Sequence, residues 1–144
     1  YEEIKRRRND IKLVKAGYAE TLSGDDIINI GRVAENDMPI LYNSADVFLY
    51  TSEYEGFGMP IVEAMSCGVP VVASNRARIT EVMGTYSNMV DLDADDVVGC
   101  FVGKVLSCID LGLDEKALEQ SKNFSWDRTV SGTIRVYEEV LRSI

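Results

Sequence analysis

The 144 residues are enough for one domain of ordinary size, and a 46% hydrophobic, 8% aromatic composition is that of a globular protein able to bury a core. Lys and Arg total 15 against 24 Asp and Glu, and the net charge of -9 disfavours binding to a nucleic-acid phosphate backbone. Histidine is absent, which excludes Ser-His-Asp and Cys-His chemistry, His-ligated zinc and a histidine general base within this chain, so any base is a carboxylate or comes from elsewhere.

Tyr1 to Asn9, with Arg6, Arg7 and Arg8 in a row, reads as the last turns of a surface helix rather than a phosphate patch, because cations favour helix C-termini. Ile11 to Ala16 follows as a strand closed by Gly17, and Ile27 to Ile30 as another closed by Gly31. A crossover between parallel strands takes about a dozen residues or more, and Tyr18 to Asp26 is short for one. Asp37 to Ala45 reads as a short helix with Pro39 in its first turn and Ile40 and Leu41 turned inward. Its Tyr42, and Asp46 beyond it, could touch a ligand, but packing and strand entry are the favoured roles.

Val47 to Thr51 and Val69 to Ala73 are apolar, β-rich runs that read as buried parallel strands. Between them lie one loop and one helix. Pro60 suits the first helical position, and Gly68 suits the left-handed residue past the helix end. A strand, glycine loop, helix and strand in this order aim the loop and the helix's free N–H groups at the carboxyl edge of the sheet, where open α/β folds bind ligands. Gly56 and Gly58 let backbone amides approach a ligand, and Glu55 in the loop and Glu63 in the helix bring two carboxylates toward one cleft.

Beyond Ala73, Ser74 to Glu81 leads into a helix ending near Gly84, and Asn88 to Leu92 is the last strand. Asp95 to Leu111 has helical periodicity through Val98, Phe101, Val105 and Ile109, and Leu113 to Lys122 gives another helix. Ser125 caps a final helix that carries Asp127 in its first turn and continues through Val130, Ile134, Tyr137 and Leu141. Cys67, Cys100 and Cys108 lack metal-ligand spacing and read as reduced core thiols of a cytosolic protein. No apolar run approaches the ~18 to 20 residues of a membrane span, and the charged start lacks a signal-peptide core, so a soluble, cytoplasmic domain is expected. Asp91, Asp93, Asp95 and Asp96 follow a strand, where paired aspartates bind divalent metals in some folds, but capping of the next helix is the preferred reading.

Glu55-Gly-Phe-Gly-Met-Pro-Ile-Val-Glu63 resembles the E-x7-E motif of retaining glycosyltransferases of the GT-B fold, in particular family 4 (group 1). The likeness continues through Ser52, Leu41 to Asp46, Ala64 to Val72, and Phe124-Ser-Trp. It implies an α/β fold, a Rossmann-like parallel sheet with helices on both faces that forms one half of a GT-B fold. Residues 1–144 would then be the C-terminal, nucleotide-sugar-binding domain, lacking its opening strand-helix unit and the N-terminal acceptor domain, with residues also omitted after Tyr18. Since the family's opening strand is central, its absence would split the sheet in two.

The resemblance also implies roles. Glu63 would accept hydrogen bonds from the ribose hydroxyls, and Glu55 would be the catalytic carboxylate at the donor sugar. No Lys or Arg stands between Arg32 and Arg76, so the diphosphate would meet the amides and helix dipole of Gly56, Phe57, Gly58, Met59 and Pro60, with Arg32 or Arg78 adding charge. The reaction would be hexosyl transfer from a nucleotide diphosphate sugar to an acceptor hydroxyl, with retention, no metal and no cofactor beyond that substrate. The partner would be the N-terminal domain of the same protein, through which any peripheral membrane association would run, and the isolated domain is expected to be inactive. Where relatives carry two small residues this chain has Ala77 and Arg78, a departure that weakens the idea of a small-residue loop against the substrate. The alternative is a non-catalytic nucleotide-binding or interaction module of the same fold.

Overall fold

Four residues, Val71–Ser74, form the strand on which the molecule is assembled. In the computed structural model, which describes residues 1–17, 21–76, 78–86 and 88–143, this strand (β4) is the middle of a parallel three-stranded sheet between β3 (Phe48–Tyr50) and β5 (Met89–Val90). All four of its residues are buried, the mark of a parallel strand covered on both faces. Because alternate side chains leave a strand on opposite sides, Val71 and Ala73 enter one core and Val72 the other. The first core gathers Ile61 and Met65 of α3 (Met59–Ser66), Ile79 and Met83 of α4 (Ile79–Met83) and Ala117 of α6 (Glu115–Ser121). The second gathers Ile4 of α1 (Glu2–Arg7) with Val102, Val105 and Cys108 of α5 (Val97–Cys108). Phe48 and Tyr50 of β3 side with the first core, Leu49 with the second. The chain is therefore α/β, with parallel strands covered by helices on both faces.

A second parallel sheet pairs β1 (Leu13–Ala16) with β2 (Ile27–Gly31), and among the described residues it shares no strand with the first. Its side chains are poorly covered: Val14, Ile28 and Ile30 are 46%, 43% and 38% exposed. The connection between the two strands includes residues 18–20, which lie outside the described residues, as does the expected omission after Tyr18.

Local chemistry sets the helix limits. α3 opens at Gly58, whose φ of 95° belongs to the left-handed region, and Pro60 occupies its second position rather than the first, still within the turn whose N–H groups have no helical partner. It closes before Gly68, at φ 70°, a backbone angle that favours glycine, and a Cβ there would stand 2.3 Å from Leu113 Cδ1, a side-chain end that would have to shift. The later helices are capped by side chains: Asp96 accepts from Gly99 N in α5, Asp114 from Lys116 N and Ala117 N in α6, and Ser125 from Arg128 N in α7 (Trp126–Arg142).

Some inward and outward assignments differ from the sequence reading. The Asp37 helix is a 3-10 turn (Glu35–Asp37) followed by α2 (Met38–Asn43); Ile40 is 70% exposed, while Tyr42 is 4% exposed and Met38 packs on the core. A six-residue helix has room for one inward stripe, and the i, i+4 pair Met38 and Tyr42 takes it. In α5 the buried residues are Val102, Val105 and Cys108, with Ile109 just past its end, leaving Cys100 exposed and Val98 63% exposed in the first turn. Cys100 is therefore no core thiol, whereas Cys108 is buried and Cys67 half-buried. α7 has the expected apolar stripe, but none of its residues is buried, and Val130, Ile134, Tyr137 and Leu141 are each more than half exposed.

Candidate functional site

The carboxyl ends of β3 and β4 are tied together by the Ser74 hydroxyl, which donates to the Ser52 carbonyl. From that edge the chain passes through the Glu55–Gly58 loop into α3, the helix on which Glu63 stands. Gly58 has no side chain to cap the first amides, and none caps them from elsewhere among the described residues, in contrast to α5, α6 and α7. Pro60 has no N–H and Ile61 N donates to the Gly58 carbonyl at 3.0 Å, so such a helix start favours an anion through its dipole and the amides leading into it.

A tyrosine acts on each glutamate. The Tyr42 phenol, on α2, donates to Glu63 Oε2 at 2.9 Å, and burial followed by this carboxylate pushes the phenol well above its ordinary 10.0. Tyr50, at the end of β3, is the leading cause that holds the Glu55 carboxyl below its usual 4.5, followed by Ser52, whose hydroxyl donates to the Tyr54 carbonyl at 3.1 Å. Burial, then Glu55, pushes Tyr50 up in turn. The rings are linked: Tyr50 lies 5.8 Å from Phe48, and Phe48 lies 5.4 Å from Tyr42, edge to face at 87°. This aromatic ladder along one face of β3 joins the two carboxylates. Both are half-buried.

The remaining expected site residues are distributed unevenly. Gly56 is exposed and would meet nothing within 4 Å if given a Cβ; Gly58 is buried, Pro60 half-buried and Met59 44% exposed. Phe57 is 42% exposed and packs edge-on against Phe124, 5.7 Å away, which fixes the loop to the segment before α7. Arg78 pairs with Glu81 along α4, and Ala77 beside it lies outside the described residues. Arg32 is exposed beyond β2, on the other sheet. Arg76 is engaged by Asp93, Nη1 to Oδ2 at 2.8 Å with Nη2 on Oδ1. Asp93 is therefore an ion-pair partner rather than a cap, and of the four aspartates expected to cap the next helix it is Asp96 that caps α5. Among the described residues no three or more His, Cys, Asp or Glu side chains cluster closely enough to hold a metal.

The sequence reading did not foresee the tyrosine supports. For Tyr50 a signal existed, because strand alternation puts it on the side of Phe48, and it ends the strand just before the loop. Tyr42 was obscured by Ile40 and Leu41, which are more apolar and compete for the same short helix.

The edge of the Rossmann-like sheet thus carries a glycine loop, a helix start without a side-chain cap and two half-buried carboxylates. The chain matches the family described as Glycosyl transferases group 1 over residues 1–125 and belongs to it. It is 41% identical over 113 residues to O-antigen chain mannosyltransferase B of Escherichia coli, covering 76% of this chain and 29% of that protein. Against the serotype-specific mannosyltransferase WbdA of Escherichia coli it is 30% identical over 134 residues, 92% of this chain and 16% of that one. Against D-inositol 3-phosphate glycosyltransferase of Salinispora arenicola it is 36% identical over 110 residues, 74% of this chain and 25% of the other. The chain thus spans less than a third of the length of each of these relatives. No helix among the described residues is long and apolar enough to cross a membrane.

Proposed function

We propose that the chain is the donor-binding domain of a retaining glycosyltransferase, acting in transfer of a hexosyl group from a nucleotide diphosphate sugar to an acceptor hydroxyl. The observation that carries this reading is the junction of Gly58 with α3: a left-handed glycine opens a helix without a side-chain cap, between Glu55 and Glu63. The diphosphate lies against the amides of Gly56 to Met59 and the start of α3, since Arg76 and Arg78 are engaged by Asp93 and Glu81. Glu63 accepts from the ribose hydroxyls. Glu55, kept ionised, orients the sugar and stabilises positive charge developing at its anomeric carbon. The mannosyltransferases among the relatives make a mannosyl donor the first to test.

The opposite wall of the cleft is supplied by an N-terminal domain, and the two sheets are halves of one sheet completed by a strand preceding Tyr1. The exposure of Tyr54, Phe57 and Met59, at 82%, 42% and 44%, supports a one-sided site. Closure by a second domain would exclude water and place the acceptor, so the chain alone binds donor without transferring sugar. Titration with nucleotide diphosphates and their sugar conjugates tests the reading. Glu63→Gln should weaken the best of them by about 1 to 3 kcal/mol, the scale of a hydrogen bond to a charged group, and chelator should change nothing. Equal affinity in the variant would remove Glu63 from the site. Turnover by the isolated chain at the complete protein's rate, abolished by Glu55→Ala, would overturn the two-domain requirement.

A further inference from the structure

Tyr42 is a core residue of α2 whose one polar side-chain atom is directed at Glu63. The ring is 4% exposed and held edge-on by Phe48, so the phenol oxygen is fixed in space by packing. From that fixed point the hydroxyl donates to Glu63 Oε2 at 2.9 Å. A phenol has a single hydrogen to give, and Tyr42 has committed it to the carboxylate; Glu63 keeps all of Oε1 and a second lone pair on Oε2 for other donors. Glutamate is rotamer-rich, and ordering such a side chain on binding lowers affinity by about two- to tenfold. A carboxylate anchored in advance avoids that loss.

We infer that Tyr42 is a positioning residue for the nucleotide site, presetting the Glu63 carboxylate to meet the ribose hydroxyls of a nucleoside diphosphate. This rests on the donor-binding role proposed for Glu63. A purely structural Tyr42 would behave differently. Tyr42→Phe preserves the ring and its contact with Phe48, so a packing role predicts no dependence on the ligand's hydroxyls.

The test is calorimetric titration of the 144-residue chain with GDP, UDP and ADP, followed by comparison of the tightest binder with its 2′,3′-dideoxy counterpart. Wild type, Tyr42→Phe, Glu63→Gln and the double variant are compared, with circular dichroism to verify folding. Tyr42→Phe should weaken the ribonucleotide by about two- to tenfold and leave the dideoxynucleotide unchanged. Glu63→Gln should remove the preference for ribose, and adding Tyr42→Phe to it should cost nothing further. Equal loss on both ligands, or none on either, overturns the inference and leaves the reading of Glu63 standing. If none of the three nucleotides binds, or Glu63→Gln keeps the full preference for ribose, the donor-site reading falls and this inference with it.

Discussion

The two sheets of this chain are built of similar residues and differ in what covers them. β4 is apolar on both sides and closed by α3 and α4 on one face and α5 on the other, with Val71, Val72 and Ala73 at 0% exposure. β1 and β2 hold Val14, Ile28 and Ile30 in equally β-prone runs and leave each more than a third exposed. Charge pairs secure this second sheet and its neighbours: Lys5 of α1 to Asp26 at 2.7 Å, and Arg8 to Asp10 and Asp110. All of these groups lie at the surface, where ion pairs contribute little. A strand's contribution to stability thus comes from its covering layers rather than its β-propensity, and the candidate site stands on the well-covered sheet.

The sharpest way to break this contrast is to hollow out the covered side. Met65 is at 0% exposure beneath β4, and Met65→Ala should cost about 2 to 5 kcal/mol in chemical denaturation, whereas Ile28→Ala should cost about 1 kcal/mol or less. Comparable losses at the two positions would erase the distinction. Gly68→Ala follows, at about 1 to 2 kcal/mol for the left-handed backbone, plus whatever Leu113 must yield to admit a Cβ, measured by the same midpoint shift.

Alkaline pH should also act on the covered side. Tyr42, Tyr50 and Tyr86 pack within or against the first core, and burial is the leading cause that raises each phenol above 10.0, followed by Glu63, Glu55 and Asp114 respectively. A raised folded value means the stabilisation is fully present below the unfolded value and is lost as pH climbs beyond it. The denaturation midpoint should therefore fall above about pH 10, and the phenolate absorbance of these three should develop only with loss of structure. Full phenolate absorbance from a still-folded chain would contradict the burial of Tyr42 and Tyr86. The smallest effect is expected at Lys5→Met: faster amide exchange at Leu13–Ala16 by local opening, with the global midpoint unmoved. A shifted midpoint would mean that the charge pairs contribute to global stability.

What the sequence determined by itself was whatever depends on neighbours along the chain. The apolar runs before Thr51 and after Gly68, the proline and glycines that delimit α3, and Ser125 as a cap act within a few residues, and each is where the reading put it to within one or two positions. Glu55 and Glu63 flank Gly58 along the chain, so their nearness to it in sequence needed no tertiary information. Tertiary structure decided which residue of a short helix faces inward, Tyr42 in place of Ile40, because the packing partner Phe48 and the acceptor Glu63 come from other elements. It also decided that Asp93 pairs with Arg76 and that Cys100 faces solvent. Periodicity gives the angle between side chains on one helix, but the direction of that helix's buried face is set by the surfaces it meets, and those are assembled from segments far apart in the chain.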